Sequence, residues 1–216
     1  MSNRLRSPTI AMICFTAVSV WAMHVELLAF SGASGIARAG QPGLTITPDI
    51  GLSNWSIQHA LRNCGAELSP SVSAFRTSRH RQATARICSS IAAGALQKIP
   101  THGFAHFISA ASERELGNPS KSLRSFRQSI KYAPFEGWIA ERRFVHAANS
   151  GDTEVMDVLQ PDIATLLSTQ SGAELLAVYY GHPSDLPPRI NRAFMSASPA
   201  QEQRFINLLR RKLSSG

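Results

Sequence analysis

Histidine and cysteine are the side chains in this chain that could coordinate a metal ion, and their spacing does not favour a site. His102 and His106 are four residues apart and would share a helix face, and Cys64, Cys88 or His80 would have to complete the set. Closely spaced ligand pairs such as Cys-x-x-Cys or His-Glu-x-x-His are typical of zinc sites, and neither pattern occurs in this sequence. We therefore expect no metal and no other cofactor, and we expect His106 to lie at a packed helix interface.

The residues that could perform acid–base or nucleophilic catalysis are also scattered. Glu113 and Glu115, like Asp152 and Glu154, are two positions apart, which directs the members of each pair to different faces of a helix. The sequence has no Gly-x-Ser-x-Gly nucleophile elbow, and no glycine-rich phosphate loop follows a strand pattern. The pattern predicts no enzyme, although an active site that one sequence does not reveal stays open as the alternative.

Arginine supplies the most pronounced charge pattern. The formal net charge is +8, the pI is about 10.1, and no acidic residue occurs between Glu67 and Glu113. Such a cluster is either a solvated helix face or a contact surface for an anionic partner, such as membrane head groups or an acidic polymer. Nucleic acid is disfavoured, because interleaved aromatic residues and recognised binding motifs are missing and an export signal precedes the cluster. The predicted basic face comprises Arg76, Arg79, Arg81, Arg86, Arg124 and Arg127.

A helical hairpin has to position many of these side chains. Apolar residues recur at helical spacing on both sides of Gly117-Asn118, and Phe126 belongs to the apolar face of the second segment. We predict antiparallel helices over 103–116 and 120–133, with Gly117-Asn118 at the turn. A lone hairpin cannot bury its apolar face, so neighbouring hairpins are required.

A period of 34 residues links this hairpin to its neighbours. Pro134 follows Pro100 by 34 positions, and Gly151 follows Gly117 by the same interval. A helix–turn–helix period of this length resembles the tetratricopeptide repeat, in which a turn glycine, small residues, an aromatic residue on the second helix and a closing proline form the pattern. The residues that define the repeat here are Pro100, Gly117, Phe126, Pro134 and Gly151, with Ala110 as a matching small residue.

The match with that family is best over residues 101–134. His106 and Glu113 stand where the family's first helix carries Trp and Tyr, and Pro161 interrupts the next predicted helix. The resemblance implies an all-α fold of antiparallel hairpins stacked as a short solenoid, whose concave face binds a protein or peptide. An irregular helical bundle with a coincidental period is the alternative.

The amino terminus carries an apolar segment that sends the chain out of the cytoplasm. Arg4 and Arg6 precede the uncharged run Ile10–Met23, which has the length of a signal-peptide core. Ala37-Arg38-Ala39 offers a cleavage site, with Ser31-Gly32-Ala33 as a second choice. The 22-residue stretch ending at Phe30 is also long enough to cross about 30 Å of hydrocarbon as an anchor. We favour the anchor, because the cleavage site lies far from the apolar core; a buried helix of a soluble protein is the third alternative.

These patterns divide the chain into three parts. Residues 1–30 form a signal anchor or signal peptide, residues 31–54 form a flexible linker rich in Gly, Ser, Ala and Pro, and residues 55–213 form the helical domain, with Asn54 capping its first helix. The arginines before the apolar run are expected to stay in the cytoplasm. We therefore expect a single-pass inner-membrane protein with its C-terminal domain in the periplasm, or a periplasmic or secreted protein after cleavage.

Cys64 and Cys88 are the cysteines of the exported part, since Cys14 lies in the apolar run. An oxidising compartment would allow a disulfide between them. However, a single helix starting at Ser69 and packing antiparallel to its predecessor would carry Cys88 about 28 Å away. We therefore expect two buried free thiols; only a break near Ser78 would bring the cysteines together.

Two functions are compatible with this sequence. The first is a membrane-tethered or exported scaffold that binds a protein or peptide partner in an envelope or polysaccharide-export assembly. The second is an envelope enzyme or accessory subunit whose active site is not recognisable. The scaffold predicts a groove lined by Arg, Ser and aromatic residues, whereas the enzyme predicts a deep pocket in which His and carboxylates converge.

Overall fold

The computed structural model describes residues 6–39, 50–181 and 186–214, and all regular secondary structure in these ranges is helical. The all-α class is thus confirmed, with an apolar helix at the amino terminus. The helices are α1 Arg6–Gly35, followed by a 3₁₀ turn at Ile36–Arg38, α2 Asn54–Glu67, α3 Pro70–Ser73, α4 Ser78–Lys98, α5 Gly103–Glu115, α6 Pro119–Tyr132, α7 Gly137–Ser150, α8 Thr153–Val158, α9 Gln160–Ser168, α10 Gln170–Tyr180, α11 Leu186–Phe194 and α12 Pro199–Ser214.

The predicted hairpin is confirmed as α5 and α6, with boundaries within one residue of those expected. Gly117 sits between the helices with φ +78°, a backbone conformation that residues with a side chain rarely adopt. Phe126 is fully buried in the core between α5 and α7, where its ring lies 6.0 Å from that of Phe107 and 6.0 Å from that of His146. The local turn signal and the helical period therefore specified this element.

Two serines fasten the hairpin from the inside. The hydroxyl of Ser122 donates to the carbonyl of Ala110, and the hydroxyl of Ser129 donates to the carbonyl of Gly103, both at 2.8 Å. These are the positions at which the tetratricopeptide family usually carries alanine. Gly103 also meets Ala133 so closely that a Cβ at Gly103 would overlap the Cβ of Ala133. The open end of the hairpin is therefore closely packed and bonded.

The N-cap of the first helix of the domain lies one residue earlier than expected. Ser53, and not Asn54, is the N-cap: its side chain accepts a hydrogen bond from the backbone N–H of Ser56, and Asn54 is already helical. Both residue types cap helices well, so composition alone did not decide between adjacent positions.

Cys64 and Cys88 form a disulfide with a Cα–Cα distance of 5.5 Å, so the expectation of two free thiols was wrong. The reason is a helix break between Ser73 and Ser78, in the region where one continuous helix was expected. After the single turn of α3 the chain re-starts at Ser78, where the Thr77 side chain caps α4. Cys88 therefore lies only about 15 Å into α4, by the rise of an α-helix, and returns to the last turns of α2.

The third predicted hairpin is irregular at the place the sequence indicated. Gly151 ends α7 with φ +65°, and Asp152 caps α8 by accepting from the backbone N–H groups of Glu154 and Val155. The helix then breaks at Leu159, and α9 begins with Pro161 in its first turn. The interruption by Pro161 is thus confirmed.

A buried ion pair fastens α7 to α6 and α9. Arg143 and Asp162 are both fully buried, and the guanidinium donates to the carboxylate at 2.7 and 2.5 Å. The other guanidinium N–H groups donate to the carbonyl of Ser129 at 3.2 Å, to its hydroxyl at 3.0 Å and to the carbonyl of Ala133 at 3.0 Å. Complete burial raises the pKa of Asp162, and the bonds from Arg143 oppose that shift.

The apolar helix α1 leaves the domain for most of its length. Ile10–Leu28 has a mean hydropathy of 1.7 and is long and apolar enough to span a membrane or serve as a signal sequence. The last turns of α1 pack on α2, and the following Ile36 is buried. The predicted linker 31–54 therefore begins with helical and buried residues, while residues 40–49 lie outside the described ranges.

Candidate functional site: a groove between α3 and α7

Two adjoining cavities form one groove on the side of the domain lined by α2, α3, α5 and α7. Their volumes are about 340 and 330 Å³, and they share Leu68, Pro70 and His146. We call this the α3–α7 groove. The end of α2 and the single turn of α3 make one wall, and α7 makes the opposite wall. The disulfide at Cys64 fixes the α2 wall, because Gly65 and Leu68 lie one and four residues after that cysteine.

One face of α7 supplies more groove residues than any other helix. Its groove residues are spaced by three and four positions, which places them on one stripe of the helix. The intervening Arg143 and Phe144 point into the core and hold the helix in place. The groove stripe consists of Trp138, Glu141, Arg142, Val145, His146 and Asn149.

The first cavity combines an aromatic wall with a free cation. Trp138 packs against Phe104 with ring centroids 4.8 Å apart, and the Arg142 guanidinium lies 5.7 Å from the centroid of the Phe104 ring. The ion pairs found among the described residues do not include Arg142. Glu141 adds one exposed carboxylate at the rim. The cavity therefore offers apolar contact and a cation that forms no ion pair with the residues that the structure describes.

Gly65 makes room for this arrangement. A Cβ at this position would come within 3.0 Å of the Phe104 ring and 3.1 Å of an Arg142 guanidinium nitrogen. Both distances are tighter than ordinary van der Waals contact, so any side chain here would displace the ring or the cation. Glycine at the end of α2 is thus needed for Arg142 to lie across Phe104.

The second cavity holds charges that are already paired. Arg81 Nε lies 3.3 Å from a carboxylate oxygen of Glu115. Arg114 donates to Asp152 at 2.6 Å and to the carbonyl of Ser150 at 2.9 Å. Burial alone would raise the pKa of Asp152, but the hydrogen bonds from Arg114 and from backbone N–H groups outweigh it and lower the pKa. This half of the groove is therefore a fixed polar wall.

His146 stands where the two cavities meet. It is 6% exposed, its ring lies 5.9 Å from that of Phe107, and its Nε2 has no hydrogen-bond partner among the described residues. Burial, assisted by the positive charge of Arg114, lowers the pKa of His146 to about 4. The ring is therefore neutral at neutral pH. A buried polar atom without a partner costs free energy, so a ligand that bonds it would recover that cost.

The structure distributes the sequence-predicted basic face over separate places. Arg76 lies 3.4 Å from Glu67 as an ion pair, and Arg81 lines the groove. The other four side chains are exposed, on α4 for the first two and on α6 for the last two: Arg79, Arg86, Arg124 and Arg127. The arginines of α4 and those of α6 are separated by α5, against which both helices pack. Whether these residues bind an anionic partner stays a prediction.

Sequence reasoning missed the groove residues of α7. The signal that could have found them is the spacing of Trp138, Arg142 and His146, because large polar and aromatic residues every four positions mark a helix face that is neither core nor ordinary surface. The groove has the Arg, Ser and aromatic lining that the scaffold hypothesis predicts, and it also contains His146 and the carboxylates of Glu115 and Glu141, which the enzyme hypothesis predicts.

Comparison of the chain with protein-family models, with curated proteins and with solved structures gave no match in any of the three.

Proposed function

We propose that the protein is a membrane-tethered helical-repeat scaffold that binds a peptide segment of a partner protein in the α3–α7 groove. The observation that carries the proposal is the junction of the two cavities, where the unbonded Nε2 of His146 and the unpaired Arg142 adjoin an aromatic wall. Pockets that combine apolar surface with a few convergent polar groups are the usual binding sites of folded domains.

We infer a repeat-like arrangement from the helices that line the groove. The first helices of successive hairpins, α2, α5 and α7, contribute residues to the groove, as do the short α3 and, through Arg81, α4, whereas α6 contributes none of the groove residues named above. In a tetratricopeptide-like stack the first helices form the concave face, which is the face that binds extended or helical peptides. The irregular third hairpin, broken at Leu159, is the departure from that pattern.

The chemistry of the groove suggests the kind of peptide. Trp138 and Phe107 favour an aromatic or branched apolar side chain, and Arg142 favours a carboxylate about one helical turn from it. A positive formal net charge of +8 assists the approach of an acidic segment. The proposed ligand is therefore a peptide with an acidic residue near a large apolar residue.

The proposed location is the inner membrane, with α1 as the single span and the helical domain in the periplasm as part of an envelope assembly. The apolar segment Ile10–Leu28 supports the span, and the disulfide supports an oxidising compartment. A reporter fused after Gly216 should be active on the periplasmic side; activity confined to the cytoplasm would contradict this topology.

The experiment is peptide selection on the full-length protein reconstituted in nanodiscs, followed by affinity measurement with the selected sequences. We expect enrichment of peptides that carry an acidic residue next to an aromatic or branched residue. Arg142→Ala should weaken their binding by roughly tenfold or more, the usual loss for a desolvated charge pair. Arg124→Ala is the matched control, because it removes an exposed arginine from α6, outside the groove.

Two outcomes would contradict the proposal. Peptides that bind wild type, Arg142→Ala and Trp138→Ala with equal affinity would show that the groove is not the site. Loss of binding in Arg124→Ala with no loss in Arg142→Ala would move the site to the exposed basic face on α6.

A further inference from the structure

Glu26 ties the apolar helix to the first helix of the domain. One of its carboxylate oxygens accepts hydrogen bonds from the backbone N–H groups of Leu52 and Ser53, both at 2.6 Å. The other oxygen accepts from the Ser53 hydroxyl at 3.0 Å. Because Ser53 is the N-cap of α2, the Glu26 carboxylate sits at the positive end of that helix, where a negative charge is stabilised.

Ring packing extends the same junction. Phe30 lies 4.6 Å from Trp55 and 4.9 Å from His59 between ring centroids. On α1 the residues that are half-buried share one face, namely Ala22, Val25, Glu26 and Phe30. The last turns of α1 are therefore joined to α2 by three carboxylate hydrogen bonds and an aromatic cluster, which fixes the direction in which the helix leaves the domain.

This junction lies within the apolar segment itself. Glu26 is two residues inside the Leu28 end of the 19-residue apolar segment, which is about 3 Å by the rise of an α-helix. A carboxylate near the end of a span is tolerated when it reaches polar partners at the membrane boundary. Its partners here are backbone groups of residues 52 and 53, so the start of α2 must lie at that boundary whenever α1 spans the membrane.

The start of α2 also exposes the side chains expected at such a boundary. Trp55 is 71% exposed and Leu52 is 50% exposed, beside the face of α1. Tryptophan is enriched at membrane–water interfaces, because its ring is apolar and its N–H is polar. Both side chains lie beside the end of the apolar helix, where Trp55 packs on Phe30 and the N–H of Leu52 bonds Glu26.

We propose that the start of α2 is seated in the head-group region of the bilayer, with Leu52 and Trp55 in contact with lipid. This inference rests on the membrane tether of the proposed function and does not depend on what the groove binds. It limits how far from the bilayer surface the groove can lie, since Gly65 lies ten residues, or about 15 Å, along α2 from Trp55. The domain would then present its groove to partners close to the membrane surface.

The test uses tryptophan fluorescence of the full-length protein in vesicles that contain lipids brominated on their acyl chains. The chain has three tryptophans, so single-Trp variants that retain Trp21, Trp55 or Trp138 report separately. We expect strong quenching of Trp21 and quenching of Trp55 at least about twice that of Trp138, with shallow bromines more effective than deep ones at Trp55. Glu26→Ala should reduce the quenching of Trp55 and leave that of Trp21 unchanged, and Glu202→Gln on α12 is the control.

The outcomes separate this inference from the proposed tether. Quenched Trp21 with Trp55 no more quenched than Trp138 would overturn the seating of α2 while leaving the membrane span intact. A Trp55 emission that is shifted to shorter wavelength without quenching would mean that protein covers it, and would also overturn the inference. Unquenched Trp21 would contradict the membrane tether itself.

Discussion

Arg142 and Arg143 are neighbours in sequence and lie in opposite environments. Arg143 is fully buried, and its side-chain N–H groups donate to Asp162, Ser129 and Ala133. Arg142 lies across an aromatic ring in an open groove, and the ion pairs among the described residues do not include it. Successive residues of a helix point about 100° apart, so one residue step separates the core from the groove. Two arginines of the same helix thus lie in different surroundings: Arg143 is enclosed in a bonded core network, and Arg142 lies in the proposed binding groove.

The polar clusters around the two arginines differ in whether all of their groups are hydrogen-bonded. A polar cluster in which every group is bonded stabilises one arrangement and leaves nothing for a ligand. A cluster with a buried unbonded atom and an unpaired charge is less stable by itself and becomes complete on binding. The Arg143–Asp162 network is the first kind, and the α3–α7 groove with His146 is the second.

The largest expected effect comes from breaking the closed network. Arg143→Ala leaves the Asp162 carboxylate buried without its partner, and we expect a loss of about 3–5 kcal/mol in the free energy of unfolding. Urea unfolding of the detergent-solubilised protein, followed by circular dichroism, measures it. Replacement of both residues by apolar ones, Arg143→Met with Asp162→Leu, should recover much of the loss. A loss below about 1 kcal/mol in the single variant would show that the network is not a main support of α7.

The disulfide gives the next effect, because it holds the α2 wall of the groove. Cys64 and Cys88 are separated by 24 positions in sequence. For a closed loop of this length, chain-entropy arguments give a stabilisation of about 3 kcal/mol. We expect Cys64→Ser with Cys88→Ser to lower the free energy of unfolding by about this amount. Reduction of the wild type should have the same effect and no further effect on the double variant. Unchanged stability on reduction would mean that the bond does not constrain the chain.

His146 makes stability depend on pH. The folded state keeps the ring neutral down to a pKa of about 4, whereas the unfolded chain protonates it near pH 6.5, so protons bind preferentially to the unfolded state between these values. The stability that His146 contributes is complete above about pH 6.5 and falls as the pH is lowered towards 4, by up to about 3 kcal/mol. His146→Gln should flatten this part of the pH profile, as measured by urea unfolding at several pH values. An equally steep profile in the variant would assign the dependence to other groups.

The smallest effect on stability is expected in the groove. Arg142→Ala should change the free energy of unfolding by less than about 1 kcal/mol, because this side chain is partly exposed and forms no ion pair within the described part of the chain. The same variant should lose peptide binding. Arg143→Ala would then lower stability, whereas Arg142→Ala would lower binding with little effect on stability. A loss of several kcal/mol in Arg142→Ala would remove the distinction between them.

Local signals explain why part of the fold could be predicted. Gly117 and the period of Phe126 specify a turn and a helix face without reference to the rest of the chain, and the α5–α6 hairpin followed from them. The disulfide was an alternative in the sequence but not the favoured one, because it depends on a helix break between Ser73 and Ser78 that no proline or glycine marks. The cap at Ser53 was missed by one position for the same lack of a distinguishing local signal.

The groove could not be predicted because it depends on tertiary packing. The helical period places Arg143 on the apolar face with Ile139 and Ala147. Only the placement of α6 and α9 against α7 supplies its bonding partners. His146 likewise stands out as a groove residue because Phe107 and Phe126 bury its ring, and its neighbours in sequence do not indicate this burial. The number and helix positions of the basic residues could be read from the sequence, but the placement of Arg81 in the groove could not.

The most direct test of the proposed groove is the pKa of His146, measured by NMR with histidine-labelled protein in the absence and presence of a saturating acidic peptide. We predict a value of about 4 in the free protein. Bound peptide should raise it, because a carboxylate held near Arg142, one helical turn from His146, favours the protonated ring. The same peptide with its acidic residue replaced by an amide is the control and should raise it less. An unchanged His146 titration at saturating peptide would contradict binding in the α3–α7 groove.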